Sequence, residues 1–238
     1  MDADVLIAGL GPVGQLLANL LGARGVRVLA VDPAAGPSAL PRAATADDTV
    51  LRALQSVGLD SAVAPLLSVM ERVSFVAADG RRLTLLEPGA EPSALGHPPL
   101  AGWHQPAVER VLCAGMARFA SVDARWGCGV ERLHASPSSV FARLSTGQNV
   151  QVGWVVGCDG ARSAVRRLCG IGFGGSTFAQ PWLVVDAEVD AGVDLPRWVH
   201  FLGDAARPAV TLPMGPGRHR WELMGGGDDV ELPEGVRV

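Results

Sequence analysis

The stretch that decides the fold is VLIAGLGPVGQLLANLLGARGVRVLAVD, which runs from Val5 to Asp32. Its first four residues form a short apolar run of the length and type expected of a buried parallel strand. A G-x-G-x-x-G turn follows, and residues 13–21 then carry alanine and leucine at helical spacing. Residues 26–31 form a second apolar run that ends at Asp32. The stretch predicts a strand, a tight turn, a helix and a second strand.

Each glycine of the turn has a chemical reason. Gly9 permits the tight strand-to-helix connection, Gly11 leaves no side chain between the backbone and a pyrophosphate, and Gly14 lets the helix pack closely on the strand. Pro12 and Val13 open the helix, whose N-terminus presents free N–H groups and a positive dipole end to phosphate. The turn therefore predicts a phosphate-binding site.

Asp32 adds a second signal for the same site. It follows Gly14 by 18 residues (32 minus 14), close to the offset at which an acidic residue accepts hydrogen bonds from an adenosine ribose. A glycine-rich turn in an ordinary α/β protein is the alternative interpretation. The strand before the turn, the helix after it and the acid at the tip of the second strand together favour a dinucleotide site.

Composition narrows the class of protein. The chain has 238 residues, enough for one large domain or two small ones, and 48% of them are hydrophobic. A net charge of −4 without a basic cluster argues against a nucleic-acid partner, and no apolar run approaches the roughly 18 residues of a membrane span. No positively charged signal region precedes the first strand, which predicts a cytoplasmic protein. The cysteines, which form no C-x-x-C pair, predict small buried hydrophobes rather than a metal site or disulfides: Cys113, Cys128, Cys158 and Cys169.

The middle of the chain alternates between sequence patterns typical of helices and patterns typical of antiparallel strands. Arg42 leaves a proline-rich loop ahead of a predicted helix, where it is either a solvated loop residue or a cation for the pyrophosphate. Asp79-Gly80 predicts a hairpin between residues 73–76 and 82–86. A helix is then predicted to begin beside Gln105, with Pro106 in its first turn. The hairpin predicts an excursion into an antiparallel layer.

A second glycine-flanked acid follows another apolar strand. Residues 154–156 predict a buried strand, after which Asp159 stands between Gly157-Cys158 and Gly160, and residues 164–168 predict a helix. A carboxylate at a strand's carboxyl end points into the crevice where α/β sheets bind ligands. Later strand-like runs, separated by Pro- and Gly-rich turns, predict the larger part of the antiparallel sheet: residues 182–189, 198–202, 209–212 and 220–224.

Three separated motifs agree with one family. GLGPVG with Asp32, HQPAVERVL and GCDGARSAVR together resemble the flavin-dependent aromatic hydroxylases typified by para-hydroxybenzoate hydroxylase. PRAATADDTVLRALQSVGLD, TFAQPWLVVDAEVD and DAARPAVTLPMGPGRHRWELM are most similar to the 3-(3-hydroxyphenyl)propionate hydroxylase branch. The resemblance implies an α/β fold in which a Rossmann-like FAD-binding domain, residues 1–70 and 101–177, is interrupted by an antiparallel substrate-domain sheet, residues 71–100 and 178–238.

The resemblance also implies a reaction and its participants. FAD would bind at the first site, NADPH or NADH would reduce the flavin, and O₂ would form a C4a-hydroperoxide that hydroxylates a small phenolic substrate. Carried over by position, Gly9, Gly11, Pro12, Val13 and Gly14 would hold the pyrophosphate and Asp32 the ribose. The further cofactor contacts would be Arg42, Gln105, Asp159, Gly160 and Arg162, of which Arg162 could also serve NAD(P)H. The resemblance assigns no catalytic side chain.

The sequence also departs from the family. Gly203-Asp204 resembles the family's second FAD motif, but the strand pattern after it places it in the substrate sheet. That motif is then absent, so we expect a C-terminally incomplete domain: a fragment, one half of a split enzyme with a complementary C-terminal chain, or a catalytically incomplete FAD module. A homodimer and another two-dinucleotide flavoprotein also stay open. No tyrosine can polarise the phenol, and the polar candidates by type alone are His97, His104, His200 and His219.

Overall fold

The structure is a computed structural model that describes residues 1–225. Its α-helices are α1 Pro12–Gly22, α2 Asp48–Ser56, α3 Asp60–Val63, α4 Gln105–Met116 and α5 Ala164–Leu168, with a 3₁₀ turn at Ala64–Leu66. Its strands are β1 Ala3–Ala8, β2 Val28–Asp32, β3 Thr45–Asp47, β4 Leu67–Val69, β5 Val73–Ala77, β6 Arg82–Leu86, β7 Leu100–Trp103, β8 Val122–Trp126, β9 Val130–Ala135, β10 Val140–Leu144, β11 Asn149–Gly157, β12 Trp182–Glu188, β13 Val199–Gly203, β14 Ala209–Pro213 and β15 Arg218–Met224. The predicted mixture of helices with several sheets is confirmed.

The chain divides into two compact units. The first unit contains Met1–Pro41, Leu54–Leu59 and Pro106–Gly175. The second unit contains Arg42–Ala53, Asp60–Gln105 and the residues from Ser176 onward. The assignment of residues 1–70 and 101–177 to FAD and of 71–100 and 178–238 to substrate stays a prediction. Residues 226–238 of that assignment lie outside the described part of the chain.

A six-stranded sheet forms the centre of the first unit. Its strand order is β8-β2-β1-β11-β10-β9, and the four strands from β8 to β11 are parallel. Strands β10 and β9 extend the sheet as an antiparallel pair. Val5 of β1 lies opposite Val28 of β2 and Trp154 of β11, so β1 is the central strand that carries the glycine turn at its carboxyl end. A parallel sheet places such strand ends along one edge, where α/β proteins bind ligands.

Both faces of β1 are buried because successive side chains of a strand point to opposite faces. Leu6 packs into one cluster with Leu29 and Leu144. Val5 and Ile7 pack into another, on the α1 side. This two-sided burial explains the continuous apolar run that predicted a parallel strand.

Several local expectations about the first unit were wrong. Trp154 was predicted in a buried strand, but its side chain is 73% exposed. Strand β8, which extends the sheet beyond β2, was not predicted at all. The cysteines were expected to be buried hydrophobes, which is right for Cys128 alone, because Cys113 and Cys158 are half-buried and Cys169 is exposed. Burial within a short segment depends on the layer that covers it, and a local pattern does not identify that layer.

A larger sheet dominates the second unit. Its strand order is β12-β15-β14-β13-β5-β6, and the predicted hairpin joins β5 to β6. Gly80 closes that hairpin with a φ of 82°, in the left-handed region that favours glycine. The sheet is antiparallel except between β13 and β5, which run parallel, an exception that the sequence did not predict. A three-stranded antiparallel sheet, β3-β7-β4, completes the unit.

Membrane insertion by a helix finds no support in residues 1–225. None of the helices in this range combines the length and the apolar composition that crossing a bilayer requires.

Replacing Gly14 by alanine tests the close packing of α1 on β1. A Cβ at Gly14 would lie 1.9 Å from the Gly9 carbonyl oxygen, so the helix would have to move away from the turn. We expect Gly14→Ala to lower the free energy of unfolding by about 3 kcal/mol or more, measured by urea denaturation. Gly11→Ala is the matched control, because a Cβ there meets no atom within 4 Å and should leave stability unchanged. Equal stability of the two variants would contradict this packing.

Candidate dinucleotide site

The glycine turn lies at the carboxyl end of β1 and is held by backbone contacts. Gly9 has a φ of 103°, and its N–H donates to the Val31 carbonyl at 2.8 Å. A Cβ on Gly9 would lie 2.5 Å from the Cys158 carbonyl oxygen, so this turn and the turn after β11 touch backbone to backbone. Only glycine satisfies both the left-handed φ and the close approach. The turn is thereby fixed against two strands.

The N-terminus of α1 fits a pyrophosphate. Gly11 is the N-cap residue and Pro12 occupies the first turn, while no side chain within residues 1–225 caps the helix. The first N–H groups of a helix have no intrahelical acceptor, so they can serve an anion. Val13 is 67% exposed, and a Cβ on Gly11 would find open space. The first turn is therefore accessible from outside and fits the phosphates of a dinucleotide.

Asp32 is held beside this turn by two backbone donors. Its Oδ2 accepts from the Leu10 N–H at 2.7 Å, and its Oδ1 accepts from the Ala34 N–H at 2.8 Å. Each carboxylate oxygen has a second lone pair, which a ribose hydroxyl could use. The glycine turn and Asp32 lie side by side, and their role in holding the adenosine half of a dinucleotide stays a prediction.

Asp159 organises the second turn. Its Oδ2 accepts from the N–H groups of Ala164 and Val165 at 2.7 and 3.1 Å, at the start of α5. Burial raises the pKa of the Asp159 carboxyl, but hydrogen bonds from Ser163, Val165 and Ala164 outweigh burial and leave this pKa below its ordinary value. Oδ1 of Asp159 is buried and has no hydrogen-bond partner among the described residues. The lowered pKa favours the ionised carboxylate, and its Oδ1 can still accept a hydrogen bond.

A cavity of about 410 Å³ in the first unit brings several of these residues together. Gly9, Asp159 and Arg162 line it, so three of the predicted cofactor residues meet at one space. The sequence missed other lining residues: Pro33, Gly129, Val130, Glu131, Ser145 and Arg167. The signal that could have found Gly129 and Val130 is the glycine-flanked Gly127-Cys128-Gly129 turn after β8. That strand had to be recognised first.

Arg42 and Gln105 lie together in the second unit. Oε1 of Gln105 accepts from the N–H groups of Arg42 and Ala43 at 2.9 and 2.5 Å. The Trp103 indole donates to the Ala43 carbonyl at 3.2 Å. Gln105 is 2% exposed, so its amide is committed to this segment of backbone. That either residue contacts the cofactor stays a prediction.

An ion pair between a buried arginine and a partly exposed aspartate supports the same segment, and local sequence pattern did not predict it. Arg220 is 2% exposed and forms two hydrogen bonds to the Asp186 carboxylate, at 2.7 and 2.8 Å. Hydrogen bonding to Asp186 raises the pKa of the Arg220 guanidinium above its ordinary value, although burial opposes this. Its Nη1 also reaches the Arg42 carbonyl at 3.4 Å. Gln105 therefore binds the N–H of Arg42, and Arg220 binds its carbonyl.

Two histidines of the second unit are hydrogen-bonded to hydroxyl groups. His200 Nδ1 and the Ser74 hydroxyl are hydrogen-bonded at 2.7 Å, and His219 Nε2 and the Thr211 hydroxyl at 2.6 Å. Burial lowers the pKa of both imidazoles below 6.5, and the charge of His200 lowers that of His219 further. These contacts favour a structural role over the polarisation of a phenol.

The fold and the turn geometry together define a dinucleotide-binding α/β protein. The family comparison makes this specific: residues 2–225 match the FAD binding domain family FAD_binding_3, and the chain belongs to it.

The curated relatives are similar over nearly the whole chain. The 3-(3-hydroxy-phenyl)propionate/3-hydroxycinnamic acid hydroxylase of Mycobacterium sp. (strain JLS) is 38% identical over 231 residues, which is 97% of this chain and 40% of that protein. The chain thus spans about two fifths of the length of the curated relatives that it matches.

Solved structures support the fold. The p-nitrophenol 4-monooxygenase PnpA from Pseudomonas putida DLL-E4 superposes with a TM-score of 0.84 at 24% identity, covering 96% of this chain and 59% of that one. The ternary complex of aklavinone-11 hydroxylase with FAD and aklavinone superposes with a TM-score of 0.76 at 26% identity, covering 98% of this chain and 48% of that one. FAD is therefore the cofactor class of the family to which the chain belongs.

Gly11→Ala also tests the phosphate site directly. The added methyl group occupies the open space before the helix, where a pyrophosphate would approach the backbone. We expect FAD affinity to fall at least about tenfold, equivalent to about 1.4 kcal/mol, in a flavin-fluorescence titration. Gly36→Ala, which also adds a methyl group in open space, is the control and should bind FAD like the wild type. Unchanged affinity of Gly11→Ala would place the phosphates elsewhere.

Stability should depend on His219, which is buried, and on His200, which is half-buried. The unfolded chain takes up their protons near pH 6.5, whereas the folded chain resists protonation until a lower pH. The free energy of unfolding should therefore fall as the pH drops below 6.5. Urea denaturation at several pH values should show a shallower fall for His219→Gln than for the wild type. The exposed His134→Gln is the control, and a wild-type slope in His219→Gln would contradict the assignment.

Proposed function

We propose that this chain is the FAD-binding part of an aromatic hydroxylase that uses NADPH or NADH and O₂. The observation that carries the proposal is the glycine turn with Asp32 beside it, in a chain of the FAD binding domain family. The relatives named as 3-(3-hydroxy-phenyl)propionate/3-hydroxycinnamic acid hydroxylases support a small phenolic acid as the substrate class. A cytoplasmic location is part of the same proposal.

The residues of the first unit would act by binding and orienting the cofactor. The N–H groups at Gly11 and Val13 would donate to the pyrophosphate, and Asp32 would accept from the ribose. Arg162, at the cavity shared with Gly9, would meet a phosphate of the nicotinamide nucleotide. Bound FAD would supply the redox chemistry, taking a hydride from the nicotinamide and delivering oxygen to the ring.

Arg42 and Gln105 would have different roles. Gln105 faces the backbone of Arg42 and Ala43, so it would act by positioning that segment. The guanidinium of Arg42 would not be needed to position that segment and could balance the charge of the pyrophosphate. Each role belongs to a separate side chain, so single substitutions can separate them.

A second candidate function is an FAD-binding module without hydroxylase activity of its own. The features that support it are the glycine turn and Asp32, which account for FAD binding without assigning a catalytic side chain. Such a module would bind FAD by the same residues. It would work with a complementary C-terminal chain or as a homodimer.

The test measures binding and turnover separately. The purified chain is titrated with FAD and with NADH, and NADH or NADPH oxidation is then followed with 3-(3-hydroxyphenyl)propionate present and absent. We expect FAD to bind in preference to NADH, with substrate-stimulated oxidation if the chain is active alone. Binding without oxidation supports the module. Failure to bind FAD, or preference for NADH, contradicts both candidates.

A further inference from the structure

A buried polar cluster lies directly behind the glycine turn, between α1 and α4. Gln15 and Asn19 of α1 are 0% exposed, and Glu109 of α4 is 1% exposed. The spacing of four residues places Gln15 and Asn19 on one face of α1, one turn apart. Amides and carboxylates are seldom buried unless they make specific hydrogen bonds. The hydrogen-bond partners of these three side chains therefore indicate the role of the cluster.

Gln15 holds the centre of the turn. Its Nε2 donates to the Leu10 carbonyl at 2.8 Å and to Oε2 of Glu109 at 3.4 Å. The N–H of Leu10 is bound separately by Asp32. Both backbone groups of this residue, which is itself 1% exposed, are thus fixed by side chains.

The hydrogen bond from Gln15 also decides where the next N–H points. The Leu10 carbonyl and the Gly11 N–H belong to one planar, trans peptide group, in which the two bonds point in opposite directions. Gln15 draws the carbonyl inward, towards the buried α1–α4 interface. The N–H of Gly11 is therefore turned away from that interface, where a phosphate could accept from it.

The orientation of the Gln15 amide is set by its two acceptors. Its Oε1 is buried without a hydrogen-bond partner among the described residues. The reverse orientation would place Oε1 against the Leu10 carbonyl and the Glu109 carboxylate, oxygen against oxygen. Leaving one acceptor unsatisfied is the less costly arrangement. Glu109 thus contributes by keeping the NH₂ group directed at the turn.

We propose that Gln15 and Glu109 are positioning residues that aim the Gly11 N–H at the cofactor's pyrophosphate. Glu109 acts through the Gln15 amide, and Gln15 acts through the Leu10–Gly11 peptide group. The inference rests on the proposed FAD site, and it assigns to Glu109 of α4 a role in cofactor affinity as well as in packing.

The decisive comparison is between Gln15→Leu and Asn19→Leu. Both replace a buried amide of α1 by the same apolar side chain, and both remove a hydrogen bond to a backbone carbonyl. Asn19 donates to the Leu112 carbonyl of α4 and to the Gln15 carbonyl but not to Leu10, so its replacement disturbs the same helix without removing a hydrogen bond to the turn. Glu109→Gln keeps an acceptor in place, whereas Glu109→Leu removes it.

We expect Gln15→Leu to weaken FAD binding about tenfold in a fluorescence titration, since the Leu10 carbonyl loses its buried partner. Glu109→Leu should weaken it severalfold and Glu109→Gln much less, while Asn19→Leu should change it less than about twofold. Hydrogen exchange of a peptide covering residues 9–14 should be measured without FAD. It should be faster than in the wild type for Gln15→Leu and unchanged for Asn19→Leu.

The outcomes separate the two proposals. Wild-type affinity in Gln15→Leu, or an equal loss in Asn19→Leu, would overturn the positioning role and reduce the cluster to packing. If the wild type does not bind FAD, the proposed function fails. Hydrogen exchange in the FAD-free chain then decides by itself whether Gln15 holds the turn.

Discussion

The first unit depends on a contact between backbones that leaves no room for a Cβ atom. At Gly14 that atom would overlap the Gly9 carbonyl oxygen, and at Gly9 it would overlap the Cys158 carbonyl. These contacts join β1, α1 and β11 at a single point. Because the helix starts so close to the strand, its free N–H groups open at the edge where the parallel strands end. The glycines therefore determine both the packing and the position of the helix N-terminus.

The two acidic residues predicted as cofactor ligands first serve the protein's own turns. Asp32 binds the N–H of Leu10, and Asp159 binds two N–H groups at the start of α5. A carboxylate can do this and still bind a ligand, because each oxygen accepts more than one hydrogen bond. Their value to a cofactor site is thus preorganisation: the carboxylates are already oriented before a ligand arrives.

Local pattern predicted the elements whose signal is local. The strand–turn–helix of β1 and α1 and the hairpin at Gly80 are examples, because their periodicity and turn residues lie within one segment. Strands β3, β4 and β7 were missed, since each has only three or four residues and Thr45 pairs with Gly102, far along the chain. The parallel pairing of β13 with β5 depends on a similarly distant partner.

The same limit applies to the candidate site. Glycines and acids at strand ends could be selected from spacing, because the chemistry of a phosphate turn is written in consecutive residues. The residues behind them could not. Gln15 meets Glu109 across 94 positions, and Arg220 meets Asp186 across 34. A buried polar side chain in a helix or strand has the same local pattern whether it positions a ligand residue or fills space.

The Arg220–Asp186 pair shows why such supporting residues are informative. Burying the Arg220 guanidinium costs solvation free energy, and the partly exposed Asp186 carboxylate offsets part of that cost. The guanidinium reaches the Arg42 carbonyl while Gln105 accepts from the Arg42 N–H, so charge and amide fix the two ends of one residue's backbone. In the first unit, Asp32 accepts from the Leu10 N–H and Gln15 donates to the Leu10 carbonyl, so the backbone of Leu10 is fixed at both ends as well. Both units thus use polar side chains that are buried or half-buried to hold a backbone segment beside residues that are candidates for the cofactor.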